Sequence, residues 1–147
     1  MFSRLLDLFR TETQGELQID PPLAAAVLMF EVVWADHEVS DAEVALMTEL
    51  LAEQFALDEH RVAEIIAETR ISHDESVGVF PFTRVINENL AEEQKYQIIK
   101  SMWTIALVDN ELDVLEEHTI RRIADLIYLP HARFIAAKKA AQSSVSG

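Results

Sequence analysis

The chain has 147 residues, half of them apolar, enough for one domain whose core buries most of its apolar surface. Acidic side chains outnumber basic ones 26 to 12, and the formal net charge of −14 repels phosphate backbones, so nucleic acid is not an expected partner. Cysteine is absent, which excludes disulfides, thiolate metal sites and cysteine nucleophiles and suits a reducing, cytoplasmic location, while glycines at 15, 78 and 147 alone cannot build a phosphate-cradling loop.

Ala, Leu, Glu and Ile dominate, and apolar residues recur every three or four positions with no strand-like alternation, so the expected class is all-α, a bundle of about six to eight helices. No run approaches the ~20 apolar residues that cross a bilayer, and Met1 to Phe9 lacks the pattern of a signal peptide. Residues 1–10 place Phe2, Leu5, Leu6 and Phe9 on one face of a short amphipathic helix, opposite Arg4, Asp7 and Arg10. Such a helix packs on the core or, as the less favoured alternative, makes peripheral contact with a membrane; ten residues and two arginines give little lipid affinity. Thr11 to Asp20 reads as a linker.

Asp20-Pro21-Pro22 starts the first helix of the domain, expected to span 21–141, with Asp20 as the cap and the helix running to about Ala35. Leu23, Val27, Phe30 and Trp34 form its main stripe, widened by Ala24, Leu28 and Val32, so it is expected to be buried over much of its circumference. After an acidic bend, Ser40 and Glu43 form a capping box, and Val44, Met47, Leu50, Leu51 and Phe55 give the next helix its inward face. Asp58 caps a third helix with Val62, Ile65, Ile66 and Thr69 facing inward. From Arg70 to Ala91 the period falters at Gly78 and Pro81, leaving a connection and a short helix near Phe82 to Glu88.

Glu92 to about Val108 is helical again and enters a second acidic bend, after which Asp113 and Glu116 are expected to repeat the capping relation. Ile120, Ile123, Ala124 and Ile127 then face inward, Pro130 starts a last helix ending near Ala141, and residues 142–147 form a disordered tail. An offset of 73 pairs Asp36 with Asp109, Glu38 with Glu111, Ser40 with Asp113, Glu43 with Glu116, Met29 with Met102, Met47 with Ile120, Leu50 with Ile123 and Phe55 with Tyr128. The same roles recurring in the same order over some forty positions mark an internal repeat, roughly 22–69 and 95–141, packed about a pseudo-two-fold axis.

Asp36, Glu38 and Glu43, and again Asp109, Glu111 and Glu116, gather carboxylates where one helix ends and the next begins, a donor set suited to calcium, magnesium or manganese. Val32, Trp34, Ile105 and Leu107 occupy positions where an EF-hand loop needs oxygen ligands, so that loop is excluded. Glu43 and Glu116 have two open roles, capping and cation binding. The other four precede the cap at a helix C-terminus, where negative charge is unfavourable and a cation would relieve it. His37 and Asn110 fit a positive-φ turn within the bends, while His60, His73 and His131 read as surface or capping residues and His118 faces either Glu111 or solvent.

Ala35-Asp36-His37-Glu38-Val39-Ser40-x-x-Glu43, its partner Val108-Asp109-Asn110-Glu111-Leu112-x-x-x-Glu116 and the run Glu116-Glu117-His118-Thr119-Ile120-Arg121-Arg122-Ile123-Ala124 together resemble the TerB-like family of bacterial tellurite-resistance proteins, known also as the N-terminal domain of DjlA-type co-chaperones. The likeness covers about Pro22 to Ala141. It implies a cytoplasmic all-helical domain without known catalytic activity, proposed to bind divalent metal and to serve stress-response or membrane-associated complexes. The family's metal-associated positions would fall on the same six carboxylates. Its frequent glycine after the bend's Asp is replaced here by His37 and Asn110, and no His-Pro-Asp triplet of a J-domain is present.

Two functions are therefore expected to compete. One is a cation-binding module with a protein partner and no organic cofactor. The other is a metal-free helical adaptor or homo-oligomer that binds through the amphipathic helix of residues 1–10 or the faces around Trp34 and Trp103. An enzyme is not expected, because the Glu-x-x-His pairs of a di-iron bundle and the nucleophile elbow of a hydrolase are both missing.

Overall fold

The computed structural model describes residues 19–35, 38–74, 78–108 and 113–146. Among these, seven helices form an all-α bundle: α1 (Pro21–Trp34), α2 (Asp41–Phe55), α3 (Glu59–Asp74), α4 (Phe80–Asn89), α5 (Glu92–Ala106), α6 (Val114–Leu126) and α7 (His131–Ser146). The expected helix over residues 1–10 and most of the linker lie outside the described residues.

Local chemistry sets most boundaries. The Asp20 carboxylate accepts the Leu23 amide at 3.2 Å, and prolines in the first turn need no amide partner, so α1 starts where the sequence expects. Asp58 accepts the Arg61 amide at 2.8 Å and starts α3. Gly78 has a φ of +90°, a conformation in which a side chain would be strained, and it stands just ahead of α4. The short helix expected near Phe82 to Glu88 is thus Phe80–Asn89.

Two expectations about length are corrected. Helix α3 continues beyond Thr69 to Asp74, and α7 continues beyond Ala141 to Ser146, so residues 142–146 are helical rather than a frayed tail. Helix α1 is the axis of the molecule. Ten of its residues are buried and it packs on α2, α3, α4, α5 and α6, as an apolar circumference requires.

The internal repeat is visible in the packing. Exchanging α1 with α5, α2 with α6 and α3 with α7 maps the α1–α6 contact onto α5–α2 and the α1–α3 contact onto α5–α7, while α4 has no counterpart. Buried residues confirm the offset of 73 from Met29 and Met102 through Glu43 and Glu116 to Met47 and Ile120. Beyond that it becomes 72. Ala56 and Tyr128 are the left-handed residues that end α2 and α6, and the following amides, Leu57 and Leu129, both reach back five residues, to Ala52 and Ala124, at 3.0 Å. Pairing Phe55 with Tyr128 is therefore corrected: Tyr128 corresponds to Ala56 and is 76% exposed, whereas Phe55 corresponds to buried Ile127. Offset 72 then pairs Val62 with Phe134, Ile65 with Ala137 and Thr69 with Ala141, all buried.

Candidate functional site

Each acidic bend joins the first and second helix of one repeat. Of the six carboxylates singled out, Glu38, Glu43 and Glu116 are described, whereas Asp36, Asp109 and Glu111, with the turn residues His37 and Asn110, lie outside the described residues. Glu38 is exposed just ahead of the cap. Glu43 and Glu116 are 4% and 3% exposed, each in the first turn of its helix.

Burial of Glu43 has a local cause. Its Oε1 accepts both the backbone amide and the hydroxyl of Ser40 at 3.0 Å, and Ser40 Oγ in turn accepts the Glu43 amide at 3.0 Å. This is the expected capping box, placed where the helix dipole favours negative charge. The second bend solves the same problem differently. Asp113 accepts the amide of Leu115, at 2.7 Å, instead of that of Glu116, so the box is not repeated in the same form although the buried carboxylate is. Carboxylate oxygens fit a hard divalent cation. Among the described residues alone, no cluster of three or more potential ligands could hold a metal ion, so a full ligand set requires Asp36, Asp109 or Glu111.

Reading His73 as a surface or capping residue is corrected. Its side chain is only 22% exposed, and its ring meets Phe30 at 5.3 Å and Trp34 at 4.8 Å, both edge to face, with Nδ1 3.8 Å from Glu31 Oε2. The signal was available: His73 continues the α3 stripe of Val62, Ile65, Ile66 and Thr69 by one more turn. His60, His118 and His131 are exposed, as expected, and His131 stacks on Phe134 at 5.9 Å.

Trp103 cannot carry an interaction surface, which corrects another expectation. It is fully buried against Phe134 at 5.5 Å, with the Lys138 ammonium 5.0 Å from its ring centre. Trp34 is half-buried and lines, with Phe30, Val39, Arg70 and His73, a cavity of about 440 Å³ beside the first bend.

Two ion pairs obey the repeat. Arg61 in the first turn of α3 binds the cap of α1, Asp20, and Arg133 in the first turn of α7 binds Glu93 at the start of α5, at 2.5 Å. Burial alone would lower the Arg61 guanidinium, but its bonds to Asp20 and Glu64 prevail and hold it above its ordinary value. Hydrogen bonds from Gln97 and then Arg133 hold the Glu93 carboxyl below the ordinary range.

Among the described residues no helix is long and apolar enough to cross a membrane. Searches of curated proteins and of solved structures give no significant match. The model of one family, described as tellurite resistance protein TerB, matches residues 22–139. That span runs from the first turn of α1 into α7 and takes in both helix–bend–helix repeats, and the chain belongs to the TerB family.

Proposed function

We propose that this chain is a non-catalytic TerB module that takes a divalent cation, calcium, magnesium or manganese, at its two acidic bends and thereby couples to a protein partner in a stress-response or membrane-associated complex. One observation carries the reading: a carboxylate is buried at the same register behind each bend, Glu43 and Glu116. Asp36, Glu38, Asp109 and Glu111 would add the outer oxygens, and the cation would offset their placement at helix C-termini.

The test is thermal. A ligand of the native state alone stabilises by mass action, by about 2.7 kcal/mol at a hundred times its dissociation constant. Millimolar calcium, magnesium or manganese should raise the melting temperature, and Asp36→Asn with Asp109→Asn should cancel the rise. A wild-type melt indifferent to all three ions would overturn the reading.

A metal-free helical adaptor is favoured by a different observation. Val114 and Leu115, 78% and 53% exposed at the start of α6, replace Asp41 and Ala42 of the first repeat and put an apolar tip beside the second bend. If that tip binds a second copy, Val114→Ser with Leu115→Ser should lower the mass measured by light scattering.

A further inference from the structure

The cavity of about 440 Å³ beside the first bend combines aromatic walls with a permanent cation. Phe30 and Trp34 reach it from α1, Arg70 and His73 from α3, and Val39 from just ahead of the α2 cap. The His73 ring stands edge to face with both Phe30 and Trp34, so the rings fix one another. Arg70 is exposed, holds its guanidinium 5.8 Å from the Phe30 ring centre, and forms no ion pair with a described residue. Among the described residues no acidic side chain lines this cavity. Glu31, whose Oε2 lies 3.8 Å from His73 Nδ1, lines a second cavity instead.

The fold does not demand this set of residues. Offset 73 places Trp103 and Leu107 at the positions of Phe30 and Trp34, and offset 72 places Gln142 and Val145 at those of Arg70 and His73. The second repeat thus builds the equivalent helices with neither the guanidinium nor the imidazole, and its Trp103 is fully buried.

We propose that this cavity binds a small aromatic carboxylate, with its ring against Phe30 and Trp34 and its carboxylate on Arg70. A guanidinium presents paired N–H donors that match a carboxylate, and aromatic walls take a flat apolar body. The volume falls within the range of small-ligand pockets, roughly 300–1,000 Å³. An aromatic cage alone would favour a cation. Arg70 reverses that preference at contact distance. The net charge of −14 opposes any anion at long range, but physiological salt screens it beyond about 8 Å, so the contacting guanidinium decides. Neither Glu43 nor Glu116 lines the cavity, and the ligand requires no divalent ion, so this inference stands or falls apart from cation binding.

The indole N–H resonances of Trp34 and Trp103 provide the readout, the one missing in Trp34→Phe being that of Trp34. The full-length protein, in physiological salt without divalent metal, is titrated with phenylacetate, with its neutral counterpart phenylacetamide and with phenethylamine. Phenylacetate should shift the Trp34 resonance saturably and bind about fivefold tighter than phenylacetamide, the advantage expected of one exposed ion pair. Arg70→Gln alters an exposed side chain and should leave the melting curve in place, erase that advantage and leave phenylacetamide binding unchanged. A Trp34 resonance that phenylacetate does not shift saturably would overturn the proposal. So would equal affinities for the acid and the amide in the wild type, tighter binding of phenethylamine, or an advantage that survives Arg70→Gln.

Discussion

Glu43 shows how one side chain can serve two roles that substitution separates. Its carboxylate oxygen accepts from Ser40 N and Oγ, and a glutamine carbonyl can do the same, so Glu43→Gln should keep the capping box and lose mainly the attraction of the charge to the helix N-terminus, about 0.3–1 kcal/mol. The charge is lost, however, and a cation-induced rise in melting temperature should shrink in this variant. Ser40→Ala has the opposite profile, costing about 1 kcal/mol of unfolding free energy in urea while leaving the ion response in place. Roles of this kind were legible in the sequence because a cap acts on residues two or three positions away, as Asp20, Ser40 and Asp58 do. The burial of His73 could be read from the α3 stripe but its partners could not, since Phe30 and Trp34 come from a helix some forty residues earlier.

Between elements, the equivalent pairs Arg61–Asp20 and Arg133–Glu93 tie the third helix of each repeat to the start of the first. Arg133 also lies over Tyr96, 4.0 Å from the ring centre, so its guanidinium is held in place before it meets the carboxylate. Glu93 titrates lower in the folded chain than in the unfolded one, so its stabilisation is complete above the ordinary glutamate value, about pH 4.3. It is lost as the pH falls through the lowered value. The urea midpoint of the wild type should therefore exceed that of Glu93→Gln by a constant margin near neutrality, and the margin should close in acid. The repeat that relates these pairs was readable as an offset of 73 up to Met47 and Ile120. Its change to 72 was not, because the lost residue is absorbed inside a helix and shows only in the backbone, where Tyr128 rather than Leu129 takes the left-handed conformation.

At the scale of the whole molecule, the two halves are alike in topology and unlike in volume. Helix α1 touches five other helices and carries Ala24, Ala25 and Ala26 with no exposure, whereas α5 places Ile98 and Ile99 where α1 has Ala25 and Ala26. Small side chains keep the central helix narrow, and α4 packs on it, a contact without an equivalent at α5. The apolar circumference of α1 could be read from its sequence, but which neighbour fills each sector could not, because period reports facing and not partner. The two helices should consequently fail in opposite ways. Ala25→Leu overfills a closed site and should cost about 1–3 kcal/mol, with no new space for a ligand to occupy. Ile98→Ala empties a buried site and should cost about 2–5 kcal/mol, part of it recoverable by a small apolar ligand that enters the cavity. Urea titrations with and without benzene distinguish the two, since only the α5 variant should regain stability. If Ala25→Leu left the urea midpoint unchanged, α1 would have to have room beside it, and the tight central helix inferred from the buried alanines would be wrong.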